Sequence, residues 1–94
     1  VSPRAFEQLV ELKHWWDQNR PSARYRVEDE FDRALEILAE RPHCGFRYKG
    51  DERYRVFPLR RMPYQLYYVV NEEAETIEID AVWSGVRGHG PDLG

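Results

Sequence analysis

Apolar side chains recur at intervals of three and four from Phe6 onward, and after Pro42 the pattern changes to short runs rich in β-branched and aromatic residues. The first pattern predicts two helices. Ser2 followed by Pro3 is a helix start, because a hydroxyl can accept from the free amides of the first turn and a proline gives up nothing at the first position. Phe6, Leu9, Val10, Lys13 and Trp16 then share one face through about Asn19, and Arg20-Pro21 ends the helix. Ser22 is the expected cap of a second helix. Its apolar stripe is Val27, Phe31, Ala34, Leu35 and Leu38, and it stops at Arg41-Pro42. The short link makes an antiparallel hairpin over about residues 3–41.

Four strands are expected in a sheet over about residues 46–84: Phe46 to Lys49, Tyr54 to Leu59, Tyr64 to Asn71 and Thr76 to Trp83. The links, Gly50-Asp51, Met62-Pro63 and Glu72 to Glu75, are short enough for an antiparallel meander. In the last strand Ile77, Ile79 and Ala81 alternate with Glu78, Asp80 and Val82, which predicts one inward face and one largely wet face. The fold class is therefore α+β, with an N-terminal helical hairpin packed on a C-terminal antiparallel meander. The 94 residues leave room for one such domain. The tail over 88–94 has no periodicity and is expected to be loosely held. There is no internal repeat.

Charge changes the picture by its distribution. The formal net charge is −3, so a general attraction to nucleic acid or to an anionic membrane is not built into the chain. Residues 1–42 carry 7 basic and 9 acidic groups, 43–70 carry 6 and 2, and 71–94 carry 1 and 6, which puts a segment of +4 between two acidic ones. The single cysteine, Cys44, cannot form an internal disulfide and points to a reducing, cytoplasmic compartment. It reads as a buried or half-buried thiol, and with no partner for His14 or His43 at metal-ligand spacing, no metal and no cofactor are expected. The start, Val1-Ser2-Pro3-Arg4, lacks the order of a signal peptide, and no run approaches the roughly 20 apolar residues of a membrane span.

Three stretches carry a family likeness. Leu38, Pro42 and Gly45 stand in an L-x-x-x-P-x-x-G pattern leading into the first strand after the hairpin. Arg55, Arg61, Pro63, Tyr64, Tyr67 and Tyr68 follow R-x-x-x-x-x-R-x-P-Y-x-x-Y-Y, and Ala81-Val82 through Arg87 follow A-V-x-H-x-x-R with Ser84 where histidine is common. From Ser2 to Arg87 the chain resembles the ParE/RelE toxin superfamily of type II toxin-antitoxin systems, closer to ParE. That resemblance implies a toxin neutralised by a cognate antitoxin, and a strand ahead of the first helix of which only Val1 is present. The sheet is then one strand short, with an exposed edge.

The superfamily divides into RelE-like endoribonucleases, which cut messenger RNA in the ribosome, and ParE-like proteins, which block DNA gyrase by contact. Ribonuclease chemistry needs a base, cations on the developing charge and an acid. The nucleases typically place an arginine where this chain has Gln65, which has no fixed charge, and His89 is the nearest titratable side chain after Arg87. The resemblance with these departures implies a gyrase inhibitor associated with plasmid stabilization, not an enzyme, with no direct DNA binding. The alternatives are a ribosome-dependent nuclease using Arg55, Arg61, Arg87 and His89, or a non-toxic, antitoxin-binding remnant. Target contact is expected at Arg60, Arg61, Trp83 and Arg87, and antitoxin contact at Trp15, Trp16, Tyr25, Arg53, Arg55 and Tyr67. Trp15 and Trp16 point about 100° apart on a helix, so one of them is exposed or covered by a partner. The arginines have two readings: a patch for carboxylates, or ordinary surface pairs with Glu28, Asp29, Glu30 and the last strand at about 0–1 kcal/mol each.

Overall fold

The computed structural model describes residues 1–23, 25–84, 90, 91 and 93. Helix α1 spans Pro3–Asn19 and helix α2 Tyr25–Glu40, and strands β1 (Phe46–Arg47), β2 (Arg55–Pro58), β3 (Tyr64–Asn71) and β4 (Thr76–Ser84) form an antiparallel sheet in the order β1-β2-β3-β4. The α+β arrangement is the one expected from the pattern. No helix of the described residues is long and apolar enough to cross a membrane.

α1 begins as its sequence dictates. The Ser2 hydroxyl accepts from the Ala5 amide at 3.1 Å, and Pro3 occupies the first turn. Its buried face differs from the expected one. Ala5 and Leu12 are buried and Leu9 and Trp16 pack against the core, whereas Phe6 and Val10 stand exposed. Both sets have helical spacing, and docking on the sheet selects the first. Ser22 is not a cap but lies in a 3-10 turn over Pro21–Ala23. α2 buries Val27, Phe31, Ala34 and Leu38 as its stripe predicts, and ends where the Arg41 amide bonds the Ile37 carbonyl before Pro42.

The edge of β4 is partly occupied by the start of the chain. The Ser2 amide donates to the Ile79 carbonyl at 2.8 Å, the Ser2 hydroxyl to the Asp80 carbonyl at 3.3 Å, and the Val82 amide to Gln8 Oε1 at 2.7 Å. The β4 edge is thus bonded at Ile79, Asp80 and Val82.

The expected alternation in β4 fails at one residue. Tyr67 pairs with Ala81 and Tyr68 with Ile79, leaving Asp80 as the extra residue of a bulge. The phase switches there. Ile77, Ile79 and Val82 face the helices with Leu66 and Tyr68, while Ala81 turns to the opposite face. That face is not wet: Tyr54, Val56, Tyr67 and Ala81 form a second buried cluster, flanked by Tyr48, Val69, Trp83 and Leu93. The tail joins it, since Pro91 is buried and Leu93 packs on the cluster, so the expectation of a loosely held tail is corrected at those positions. β1 is shorter than expected, because the chain turns back where Tyr48 and Tyr54 bond across the Asp51 turn.

The bulge also gathers acids. Tyr54 donates to Asp80 Oδ2 at 2.8 Å, and burial, then this bond, push the tyrosine's pKa up. A hydrogen bond with Asp80, then its charge, raises the pKa of exposed Glu78 above the ordinary carboxylate range. A group held higher in the folded state than in the unfolded chain contributes stability at low pH and loses it as pH rises through the folded value. Glu78→Gln is therefore expected to raise thermal stability at pH 7 and to flatten the fall between the ordinary carboxylate range and neutrality. Melting curves across pH 4 to 7 check it, and a variant no more stable than the parent at pH 7 contradicts the assignment.

Candidate protein-interaction surfaces

The +4 middle segment separates into committed and uncommitted arginines. Arg53 is bound to Asp51, with Nε to Oδ1 at 3.0 Å and Nη2 to Oδ2 at 2.6 Å. The bond to Arg53 holds the Asp51 carboxyl below the usual range, and the same bond raises the guanidinium. Arg55 donates from Nη1 to the His43 carbonyl at 3.1 Å and the Gly45 carbonyl at 2.9 Å. The Tyr68 hydroxyl completes that arrangement, donating to the Pro42 carbonyl at 2.7 Å and accepting from the Gly45 amide at 2.9 Å. Arg55 and Tyr68 thus pin the turn that joins α2 to the sheet. Burial is the main cause that drives the Tyr68 hydroxyl's pKa upward.

Arg60 and Arg61 are placed differently. They project from the β2–β3 turn, whose flanking Leu59 and Met62 are buried and whose neck is closed by the Leu59 amide on the Tyr64 carbonyl at 2.9 Å. Arg61 has φ 66°, a left-handed conformation that few non-glycine residues adopt. Both side chains are exposed, and neither makes an ion pair among the described residues. The register Tyr64↔Ser84 and Gln65↔Trp83 brings the end of β4 to the same end of the sheet, so Arg60, Arg61 and half-buried Trp83 belong to one region. Arg87 and His89 lie outside the described residues.

Of the candidate nuclease residues, Arg55 and Arg61 are the two within the described residues, and they lie apart. Arg55 opens β2 and Arg61 lies three residues beyond its end, and the strand from Arg55 to Pro58 alone spans roughly 10 Å at ~3.3 Å per residue. Gln65 accepts from the Tyr67 hydroxyl at 3.3 Å. Burial, then the neighbouring Tyr48, moves the Tyr67 pKa further above neutrality and away from use as a base.

The candidate antitoxin residues come from α1, the start of α2 and the β2–β3 part of the sheet. Trp15 is 47% exposed, while Trp16 packs against the core with its Nε1 buried and unpaired among the described residues; their rings meet edge to face at 5.9 Å. The two indoles divide as their 100° separation requires. Tyr67 is 5% exposed, a core residue edge-on to Tyr48 at 5.0 Å. Tyr25 opens α2, but its side chain lies outside the described part. Of the surface pairs weighed for the arginines, none with Glu28, Asp29 or Glu30 occurs among the described residues; Glu28 pairs with Lys13, and His43 with Glu72 at 2.9 Å. Cys44 is exposed, contrary to the buried or half-buried thiol expected.

Sequence reasoning missed the largest apolar exposure. Phe6 (60% exposed) and Val10 (50%) form the α1 wall of a groove of about 410 Å3, closed by Leu9, Val27 and Phe31 and rimmed by Lys13, Glu28 and Asp32. The signal was present in the sequence. Two apolar stripes on one helix, displaced by one position, cannot both face a single sheet.

A family model described as ParE toxin of type II toxin-antitoxin system, parDE, matches residues 1–88. No curated protein and no solved structure matches the chain.

Proposed function

Because the chain belongs to the ParE toxin family of type II toxin-antitoxin systems, we propose that it is a cytoplasmic toxin that blocks DNA gyrase by protein contact, without catalysis, until its cognate antitoxin covers it. The observation that carries this reading is the disposition of the arginines. Arg53 and Arg55 are consumed by local bonds, Gln65 stands where a nuclease would carry a cation, and Arg60 and Arg61 are presented outward. Exposed guanidinium groups on a turn closed at its neck suit bidentate contact with carboxylates of a protein target. The left-handed Arg61 fixes the direction of that turn, in keeping with backbone outliers clustering at functional positions.

The antitoxin is assigned to the helical groove of Phe6, Val10 and Phe31, whose apolar walls and mixed-charge rim fit the apolar face of an amphipathic segment. The two surfaces are built from different elements and are separable by mutation.

Supercoiling by purified gyrase tests the reading. The protein is expected to inhibit at near-stoichiometric concentration, and the double variant Arg60→Ala, Arg61→Ala to need at least tenfold more while binding antitoxin as the parent does. Full supercoiling at stoichiometric excess of the parent would overturn it, and cleavage of message in a translating extract would replace it by the nuclease reading.

A further inference from the structure

Where α2 ends, the sheet beneath it is incompletely covered. Val70 and Ile77 are a directly opposed pair one step from the tip of the β3–β4 hairpin, and both pack against the helix-facing core while staying half-buried. Beside them lies a cleft of about 720 Å3, walled by Ala39 and Pro42 at the end of α2 and rimmed by His43, Glu72 and Glu75. Its floor is apolar because Val70 and Ile77 continue the inward face of their strands past the last turn of the helix. Covering such a pair takes apolar area out of water, which is the main favourable term in association.

The rim selects what can cover it. Glu72 is shared with His43, whose Nε2 lies 2.9 Å from Oε1, while Glu75 makes no ion pair among the described residues. Glu75 also stands at φ 54°, where a turn ordinarily places glycine or asparagine. The turn around it is otherwise well made, with the Ala74 amide donating to Asn71 Oδ1 at 3.1 Å and the Glu75 amide to the Glu72 carbonyl at 3.4 Å. Positions 72, 73 and 75 are all glutamate, so an acidic partner is repelled. Among the described residues no three His, Cys, Asp or Glu side chains are grouped to hold a metal ion. The complementary occupant is an apolar side chain with a cation beside it. Glu72 lies two residues beyond Val70, and Glu75 two residues before Ile77, so anchor and cation are matched by two residues of extended chain, roughly 7 Å.

We propose that this cleft docks a segment of a partner protein in which a lysine or arginine stands two residues from an aliphatic side chain, the aliphatic group covering Val70 and Ile77 and the cation meeting Glu75. The eight residues of β3 separate it from the Arg60–Arg61 turn, and it shares no lining residue with the groove of Phe6 and Val10. It is therefore a third surface, and it does not depend on which target the arginines contact. It also gives a reason for glutamate at a glycine-type position, since the carboxylate is kept for the complex at some cost to the free fold.

Three synthetic peptides test it, titrated into labelled protein with amide shifts as readout: Ac-Gly-Lys-Ser-Leu-Ser-Lys-Gly-NH2, its sign-reversed counterpart Ac-Gly-Glu-Ser-Leu-Ser-Glu-Gly-NH2, and Ac-Gly-Lys-Ser-Ser-Ser-Lys-Gly-NH2 without the anchor. The first is expected to bind saturably, moving the amides of Ala39, Val70 and Ile77, and at least tenfold more tightly than either of the others. Glu75→Gly is expected to weaken that binding at least tenfold with Tm no lower than the parent's, because glycine adopts a positive φ without strain. Ala39→Phe, at an exposed helix position on the wall, is expected to block the cleft and abolish binding with Tm nearly unchanged. Absence of saturable binding, equal binding of the first two peptides, or a Glu75→Gly variant that binds as the parent does would each overturn the proposal. So would movement of the same amides on concentrating the protein alone, which would give the cleft to a second copy of this chain. Supercoiling is read in none of these arms, so their failure leaves the proposed target as it stood.

Discussion

Gly45→Ala is expected to lower Tm by on the order of 10–20 °C, the largest loss of stability from removing no side chain at all. A Cβ at position 45 would lie 2.6 Å from the Tyr68 hydroxyl oxygen, 2.8 Å from its Cε1 and 2.8 Å from the Val56 carbonyl oxygen. None of these can yield cheaply. Tyr68 is fully buried in the core, and the Val56 carbonyl is backbone of β2. Relief therefore requires the turn to lift from the sheet, which stretches the Gly45 to Tyr68 bond, the Tyr68 to Pro42 bond and the Arg55 bond to the Gly45 carbonyl. Overpacking, the stretching of these bonds included, costs about 1–3 kcal/mol, and in a domain of this size each kcal/mol moves Tm by about 4–8 °C. Differential scanning calorimetry reads the shift. A variant melting within about 2 °C of the parent would mean that the turn is not held where the bonds place it.

The same turn shows what the sequence could and could not reveal. Pro42 and Gly45 mark it, and Arg55 and Tyr68 belong to a recurring segment, but the sequence does not say that these four meet. Arg55 therefore read as a candidate for catalysis or contact, when its guanidinium is bound to two main-chain carbonyls ten and twelve positions away. Residue type announces chemistry, and pairing decides whether that chemistry is available. Arg53 is the opposite case, since its partner Asp51 is two residues away and a turn of that length closes the pair by itself.

Helix positions and strand order follow from local pattern, because caps, prolines and apolar spacing act within a few residues. Faces do not. Which stripe of α1 is buried depends on where β4 lies beneath it. Likewise, that Ala81 leaves the helix-facing side depends on the bulge at Asp80, which nothing in the alternation of β4 announces. The second cluster is the consequence. Once Asp80 is looped out, Ala81 is small enough to lie beneath Tyr54 and Tyr67, and the outer face closes over aromatic side chains that otherwise look like an open binding surface. Phe6 and Val10 are the reverse case, apolar residues assigned to the core by periodicity and left outside it by docking.

That exposure gives the second large effect. Phe6→Asp combined with Val10→Asp is expected to weaken antitoxin binding by roughly 30- to 1000-fold, about 2–4 kcal/mol, while leaving the melting temperature of the free protein nearly unchanged. The asymmetry follows from exposure. Both side chains are at least half in solvent, so the folded monomer loses little when they become polar, and surface changes of this kind usually stay within about 0.5 kcal/mol. In the complex the same positions would be covered, so each change forfeits burial of the exposed half of a large apolar side chain, about half of the 1.5–3 kcal/mol that full burial gives, and adds a carboxylate beside Glu28 and Asp32 on the groove's rim. Trp15→Asp serves as the comparison, because Trp15 is also exposed but is not among the groove's lining residues, and it should leave affinity within about threefold of the parent if the groove is the contact. Calorimetric titration with the purified antitoxin separates the cases: a double variant that binds like the parent and melts like the parent removes the groove from the interface, whereas a loss at Trp15 with none at Phe6 and Val10 moves the interface to the far side of α1.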